Sequence, residues 1–245
     1  MSTTTPLTVV TGGGRGIGAA TAVRLASAGH DLVLGYLSDK DAAQRTAERV
    51  QAAGGRCRAV AADLSDPAAV ERLFDEAAEE GMVTGLVNNA GATLHIGDLA
   101  DTPVEVIRRV VEVNLIGAIL VARRAVRDLT GGGAVVNVSS AAATLGSPHE
   151  YVHYAAAKAG VDTLTLGLAK EVAADGVRVN GVAPGLVRTD IHAAAGDPGR
   201  LERVSGRIPQ GRPGEPEEVA AAITWLLGDE CSYVTGATLR VAGGL

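Results

Sequence analysis

Leu7-Thr-Val-Val10 runs into Thr11-Gly-Gly-Gly-Arg-Gly-Ile-Gly18, and the alanine-rich stretch Ala19-Ala-Thr-Ala-Val-Arg-Leu-Ala26 follows without a break. A short β-branched run, a glycine turn and a helix-favouring stretch therefore adjoin. Glycines let the backbone turn sharply and approach a diphosphate closely, while a helix amino terminus offers free N–H donors and a partial positive charge. Gly12, Gly16 and Gly18 hold the positions where that freedom matters, with Arg15 and Ile17 between them. Such a turn alone also serves packing; inside a βαβ unit it points to a dinucleotide site.

Working outward, short aliphatic runs recur at Asp31–Leu34, Arg58–Ala61, Gly85–Asn88, Ala134–Ser139, Val177–Val182 and Thr238–Val241. Stretches rich in Ala, Glu, Arg and Leu lie between most of them: Gly16–Ala28, Asp39–Ala53, Pro67–Glu80, Pro103–Leu129 and Tyr151–Ala174. The alternation predicts right-handed crossovers and an α/β fold: one Rossmann-type, doubly wound domain over residues 1–245, with a seven-stranded, mostly parallel sheet flanked by helices. Ligands of such sheets bind at the strands' carboxyl ends. Gly196, Asp197, Pro198, Gly199 and Pro209 interrupt Ile191–Gln210, as expected of a substrate lid at about 190–210.

Hydrophobic residues make up 47% of the chain and charged ones 20%, enough to bury a full core. Twenty-eight acidic against 22 basic residues give a net charge of −6, which opposes binding to nucleic acid or anionic lipid. Arg123, Arg124 and Arg127 form the densest basic cluster, read as one exposed helix face that can still meet an acidic partner. Cys57 and Cys231 are far apart and suggest neither a disulfide framework nor a thiolate metal site. The start, Met1-Ser-Thr-Thr-Thr-Pro6, has no basic n-region and no apolar run is long enough to span a bilayer, so the expected address is the cytoplasm. Asn137-Val-Ser139 matches a glycosylation sequon but lies in an apolar strand-like run, and is read as chance.

Tyr154-Ala-Ala-Ala-Lys158 places a phenol and an ammonium one helical turn apart on one face. A free tyrosine titrates near ~10, and an adjacent ammonium is expected to favour the phenolate. The turn Thr-Gly-x-x-x-Gly-x-Gly, Asp63-Leu64, Asn88-Asn-Ala-Gly91, Asn114, Ser140, Tyr154, Lys158, Asn180, Pro184-Gly185 and Thr189 occur in an order and spacing that resembles the short-chain dehydrogenase/reductase family, including its 3-oxoacyl carrier-protein reductase-like and glucose dehydrogenase-like members. The resemblance runs from Val9 through Gly244.

It implies a nicotinamide-dependent oxidoreductase in which Ser140 hydrogen-bonds the substrate oxygen, Tyr154 transfers the proton, Lys158 also holds the nicotinamide ribose, and Asn114 completes a water-linked relay. Ser139 competes with Ser140 for the active role. The implied cofactor contacts are Gly12, Arg15, Gly16, Ile17, Gly18, Asp63, Leu64, Asn89, Ala90, Gly91, Tyr154, Lys158, Pro184, Gly185, Val187 and Thr189. At the end of the second strand an acid would bind the adenosine ribose of NAD; Tyr36 stands there, Asp39 falls in the following helix's first turn, and Arg15 with Ser38 can meet a 2′-phosphate, so NADP(H) is expected over NAD(H). The implied substrate is a small carbonyl or alcohol, free or carrier-bound, and the implied assembly a homotetramer.

Two other readings compete. His149-Glu-Tyr-Val-His153 fits H-E-x-x-H, the pattern of zinc hydrolases, with His192 or Glu171 as third ligand; Pro148 is expected to open the same helix. The segment already belongs to the Ser140–Tyr154–Lys158 set, so no metal is expected. A catalytically silent dinucleotide-sensing protein would keep the cleft but commonly lacks the Tyr/Lys pair, which is present here.

Overall fold

A computed structural model describes residues 5–129 and 131–245; residues 1–4, most of the start read above for a leader, lie outside the described residues. The strands are β1 (Leu7–Thr11), β2 (Asp31–Tyr36), β3 (Cys57–Ala61), β4 (Val83–Asn88), β5 (Gly133–Val138), β6 (Val177–Pro184) and β7 (Thr238–Val241). They hydrogen-bond in the order β3-β2-β1-β4-β5-β6-β7, and every pairing is parallel, so the expected mostly parallel sheet is parallel throughout. From β1 the chain moves to β2 and β3, then crosses to β4 on the other side of β1. That reversal opens a crevice outside the carboxyl ends of β1 and β4.

The helices, in chain order, are α1 (Gly16–Ser27), α2 (Lys40–Ala52), α3 (Pro67–Glu80), α4 (Val104–Val111), α5 (Gly117–Asp128), α6 (Ala142–Leu145), α7 (Val152–Val172), α8 (Ile191–Ala194), α9 (Arg200–Val204) and α10 (Pro216–Leu227). Successive strand residues point to opposite faces, which explains the near-continuous apolar runs. Val9, Val33, Leu86 and Val135 meet Leu73, Phe74 and Val121 in one core. Their neighbours Val10, Leu34, Val87 and Val136 meet Leu25, Ile223 and Leu226 in the other. Full burial of each such side chain contributes roughly 1.5–3 kcal/mol, so the strand ends rest on a platform clamped from both sides.

A buried polar line crosses one core. Asn88 Nδ2 donates to Ala118 O at 2.9 Å and to Asn137 Oδ1 at 3.0 Å, and Asn137 Nδ2 donates to Thr165 Oγ1 at 2.9 Å. It joins β4, β5, α5 and α7, and with Asn137 fully buried and its amide engaged, the sequon offers no glycan acceptor.

Three expectations need correction. The expected helix Pro103–Leu129 is interrupted by a π-helical turn at Glu112–Ile116, where the buried Asn114 donates to Val110 O at 2.9 Å and to Ala92 O at 2.7 Å. Pro148 opens no helix: Ser147 and His149 have φ of +46° and +60°, and α7 begins at Val152. Arg124 is not a free surface cation, since its guanidinium stacks 5.3 Å from the Phe74 ring and pairs with Glu71, Asp75 and Asp128. No helix among the described residues is long and apolar enough to cross a membrane.

Candidate active site

The turn after β1 is closed from within. Thr11 Oγ1 accepts from Asn89 N at 2.9 Å and Ala90 N at 3.1 Å, while Asn89 Nδ2 donates to Thr11 O at 2.9 Å and Gly12 O at 3.2 Å. A Cβ on Gly18 would lie 2.3 Å from Gly12 O, so only glycine lets α1 start so close to the turn. Gly12 adopts φ +65°, and a Cβ there would press on Ala90 and Asn89 at 3.0 Å. The first turn of α1 carries neither a side-chain cap nor an acid, leaving its N–H groups untaken by side chains. This cradle fits a diphosphate.

Of the residues expected at the site, all but Gly18 and Asn114 line one cleft of about 460 Å³ at the strands' carboxyl ends. Gly18 lies buried under the turn and acts through the close approach described above. Asn114 lies behind the cleft; besides its two donated bonds it accepts from Ala92 N at 3.2 Å, so its side chain pins the segment after Gly91.

Tyr154 and Lys158, on α7, and Ser140, just beyond β5, meet at the cleft's inner end. Ser139 and Ser140 divide sharply. Ser139 is buried and donates to Lys158 O at 3.2 Å, holding β5 to α7, whereas Ser140 accepts from Ala142 N at 3.2 Å and lines the cleft beside Tyr154. Lys158 Nζ donates to Val138 O at 2.8 Å and lies 5.7 Å from the Tyr154 ring centroid.

The electrostatics depart from the sequence reading. Burial pushes the Tyr154 phenol above its ordinary range, with a smaller push from Tyr151, and the nearby Ser140 hydroxyl and the charge of Arg200 oppose it only in part. In the protein alone, burial outweighs the groups that favour the phenolate, so the net direction is the reverse of the one expected. Burial also depresses Lys158, to about 8, against a pull upward from Asp162. The phenol is thus held as a proton-bearing acid beside a buried lysine whose charged form is disfavoured.

At the other end of the cleft, Tyr36 ends β2 and Asp39, with Oδ1 accepting from Ala42 N at 2.9 Å, caps α2 instead of sitting within its first turn. Arg15 lies 3.7 Å from Asp39 and 3.9 Å from Asp190, all three well exposed. Burial raises the Asp63 carboxyl, but hydrogen bonds from Ser65 and Arg109 outweigh it and hold the group below its ordinary range. Arg109 Nη2 reaches Asp63 Oδ2 at 3.0 Å.

Sequence reasoning missed Arg109 and Thr93 and named His192 only as a third ligand of the competing metal reading; all three also line the cleft. No local spacing marks them: Arg109 meets Asp63 across 46 residues and His192 arrives on α8. The H-E-x-x-H reading fails on geometry. His149 lies in a left-handed loop, 85% exposed and paired with Asp98 at 2.8 Å, whereas His153 is buried on α7, so the two do not share a helical turn.

A family model described as enoyl-(acyl carrier protein) reductase matches residues 12–245. A protein of Escherichia coli K12 named uncharacterized oxidoreductase YgfF is 46% identical over 97% of this chain and 99% of its own length. The 3beta-hydroxysteroid dehydrogenase 1 of Eggerthella lenta is 42% identical over 97% of this chain and 92% of its own. A crystal structure of a short chain dehydrogenase from Burkholderia cenocepacia J2315 in complex with NADP superposes with a TM-score of 0.91 at 34% identity, covering 98% and 97% of the two chains. With the parallel sheet, the glycine cradle and the Ser/Tyr/Lys cluster all present, these matches make the chain a member of the short-chain dehydrogenase/reductase family and an oxidoreductase.

Proposed function

We propose that the protein interconverts a secondary alcohol and its carbonyl compound with NADP(H), using Tyr154 as general acid and base. The observation that carries this reading is the meeting of Ser140, Tyr154 and Lys158 in the same cleft that the glycine cradle lines. The bound nicotinamide supplies or takes the hydride. In the reducing direction the carbonyl oxygen gains negative charge, which Ser140 meets as a hydrogen-bond donor and Tyr154 neutralises with its phenolic proton. Burial keeps that proton on Tyr154 until it is needed. Lys158 holds the ribose, and Asn114 holds the Gly91–Ala92 segment against it.

Gly12, Gly16, Ile17 and Gly18 form the diphosphate cradle, with Leu64, Asn89, Ala90, Gly91, Pro184, Gly185, Val187 and Thr189 as the remaining wall and Asp63 at the adenine end. Arg15 and Ser38 meet the 2′-phosphate, and Tyr36 leaves the strand end without the acid that would repel it. Asp39 and Asp190 compete for Arg15, so the preference for NADP(H) is modest.

The whole chain acts as one catalytic domain, with residues 190–210 as a lid, and the enzyme works in the cytoplasm as a homotetramer through α4, α5 and α7. The substrate is a small molecule; a carrier-bound one finds little support in Arg124, whose charge is taken by its own acids. A panel of secondary alcohols and ketones, followed by nicotinamide absorbance, tests the reading. Turnover dependent on Tyr154 supports it, and tight cofactor binding without turnover of any member contradicts it.

A further inference from the structure

Arg200 lies on α9, within the proposed lid, yet is only 3% exposed. One of its nitrogens, Nη2, donates both to Glu150 Oε2 and, at 2.7 Å, to the Tyr151 hydroxyl. The guanidinium carbon sits 4.9 Å from the Tyr151 ring centroid, and that ring meets Tyr154 edge to face at 5.4 Å. Glu150 is itself mostly buried, and its backbone oxygen accepts from Gly97 N at 2.7 Å, so one residue ties α9 to both the segment before α7 and the loop after β4.

We infer that Arg200 is a positioning residue that couples the lid to the proton donor, with Glu150 as its counter-ion and Tyr151 as the wedge against Tyr154. The inference rests on the reading of Tyr154 as the acid.

The pair is poorly arranged for stability alone. Arg200 Nε and Nη1 are buried with no hydrogen-bond partner among the described residues. A buried ion pair with donors left over is a weak stabiliser, and replacing both members with uncharged groups is often neutral, whereas removing one strands the other's charge. A buried polar group so incompletely satisfied calls for a role beyond packing. Here the geometry supplies one: with the segment 191–210 seated, a cation lies behind the Tyr151–Tyr154 ring pair, and its charge favours ionisation of both phenols against the effect of burial. With the segment lifted, Tyr151 loses its hydroxyl partner and the guanidinium that braces its ring against Tyr154.

The test uses the full-length enzyme with NADPH bound. Arg200→Met is expected to lower kcat at least fivefold, to leave the Kd for NADPH within twofold, and to speed tryptic cleavage after Arg203 or Arg207, mapped by mass spectrometry. Glu150→Gln combined with Arg200→Met is expected to regain the wild-type Tm while keeping the kcat loss, because no lone charge remains but the coupling is still absent. Arg200→Lys, which keeps the charge without the fork, should recover part of kcat and stands in if Arg200→Met does not fold. A double variant whose kcat returns together with its Tm would show an ordinary structural pair and overturn the inference, as would Arg200→Met with kcat lowered less than fivefold. Turnover that survives in Tyr154→Phe would instead overturn the assignment of the acid, and the proteolysis arm would still report whether Arg200 seats the lid.

Discussion

Replacing Lys158 by methionine should remove activity and make the cofactor-free protein more stable at neutral pH. Lys158 is 3% exposed, and burial brings its pKa from the ordinary 10.5 to about 8. That displacement corresponds to roughly 3 kcal/mol against the charged form. Between those two values the unfolded chain binds the extra proton, so stability rises with pH across that window; below about 8 the full burden of the buried charge is present. Methionine has similar length and no charge, but it abandons the 2.8 Å bond from Nζ to Val138 O, a loss of about 1–2 kcal/mol. The variant is therefore expected to be about 1–2 kcal/mol more stable at pH 7, with the gain gone or reversed by up to about 1 kcal/mol near pH 10, where the folded wild-type lysine has shed its proton and only the lost bond counts. Urea denaturation of both proteins at pH 7 and pH 10, at one subunit concentration and without cofactor, measures it. A variant less stable than wild type at pH 7, or a difference that does not shrink with pH, would refute the claim that a buried ammonium is maintained for function at the expense of stability.

Other perturbations probe the rest of the cleft. Gly18→Ala drives a methyl toward Gly12 O and should weaken NADPH binding at least about tenfold, read by titration of nicotinamide fluorescence; unchanged affinity would mean the turn does not hold the diphosphate. Wild-type kcat/KM should be higher with NADPH than with NADH, and Tyr36→Asp should reverse the order; an enzyme that uses NADH equally well from the start contradicts the roles given to Arg15 and Ser38. Light scattering should give four times the 24.7 kDa chain mass, and a monomer at micromolar concentration would sink the proposed assembly through α4, α5 and α7.

The strands were legible because a doubly covered parallel sheet demands unbroken apolar runs, and Val9-Val10, Val33-Leu34 and Val135-Val136 supply both cores at once. The glycine cradle was legible because its constraint is local: Gly12 and Gly18 meet within a few residues. What stayed hidden depends on contacts between distant segments. The π-helical turn forms where Asn114 reaches Ala92 on another loop, an event that the helical periodicity of Pro103–Leu129 does not encode. The division of labour between Ser139 and Ser140 likewise appears only once α7 lies against β5 and Lys158 O takes the first hydroxyl. The direction of the Tyr154 shift was misjudged for a related reason: the spacing of Tyr154 and Lys158 is visible in sequence, but their common burial is not.

The most direct measurement is kcat of Tyr154→Phe, with NADPH affinity determined in parallel. The variant keeps the ring that packs against Tyr151 and deletes only the hydroxyl, so cofactor binding should stay within about twofold while kcat falls by about 10²–10⁴, the range of a lost general acid. A variant that keeps more than about a tenth of the wild-type kcat, with the chemical step rate-limiting, would contradict the assignment of Tyr154 as the proton donor.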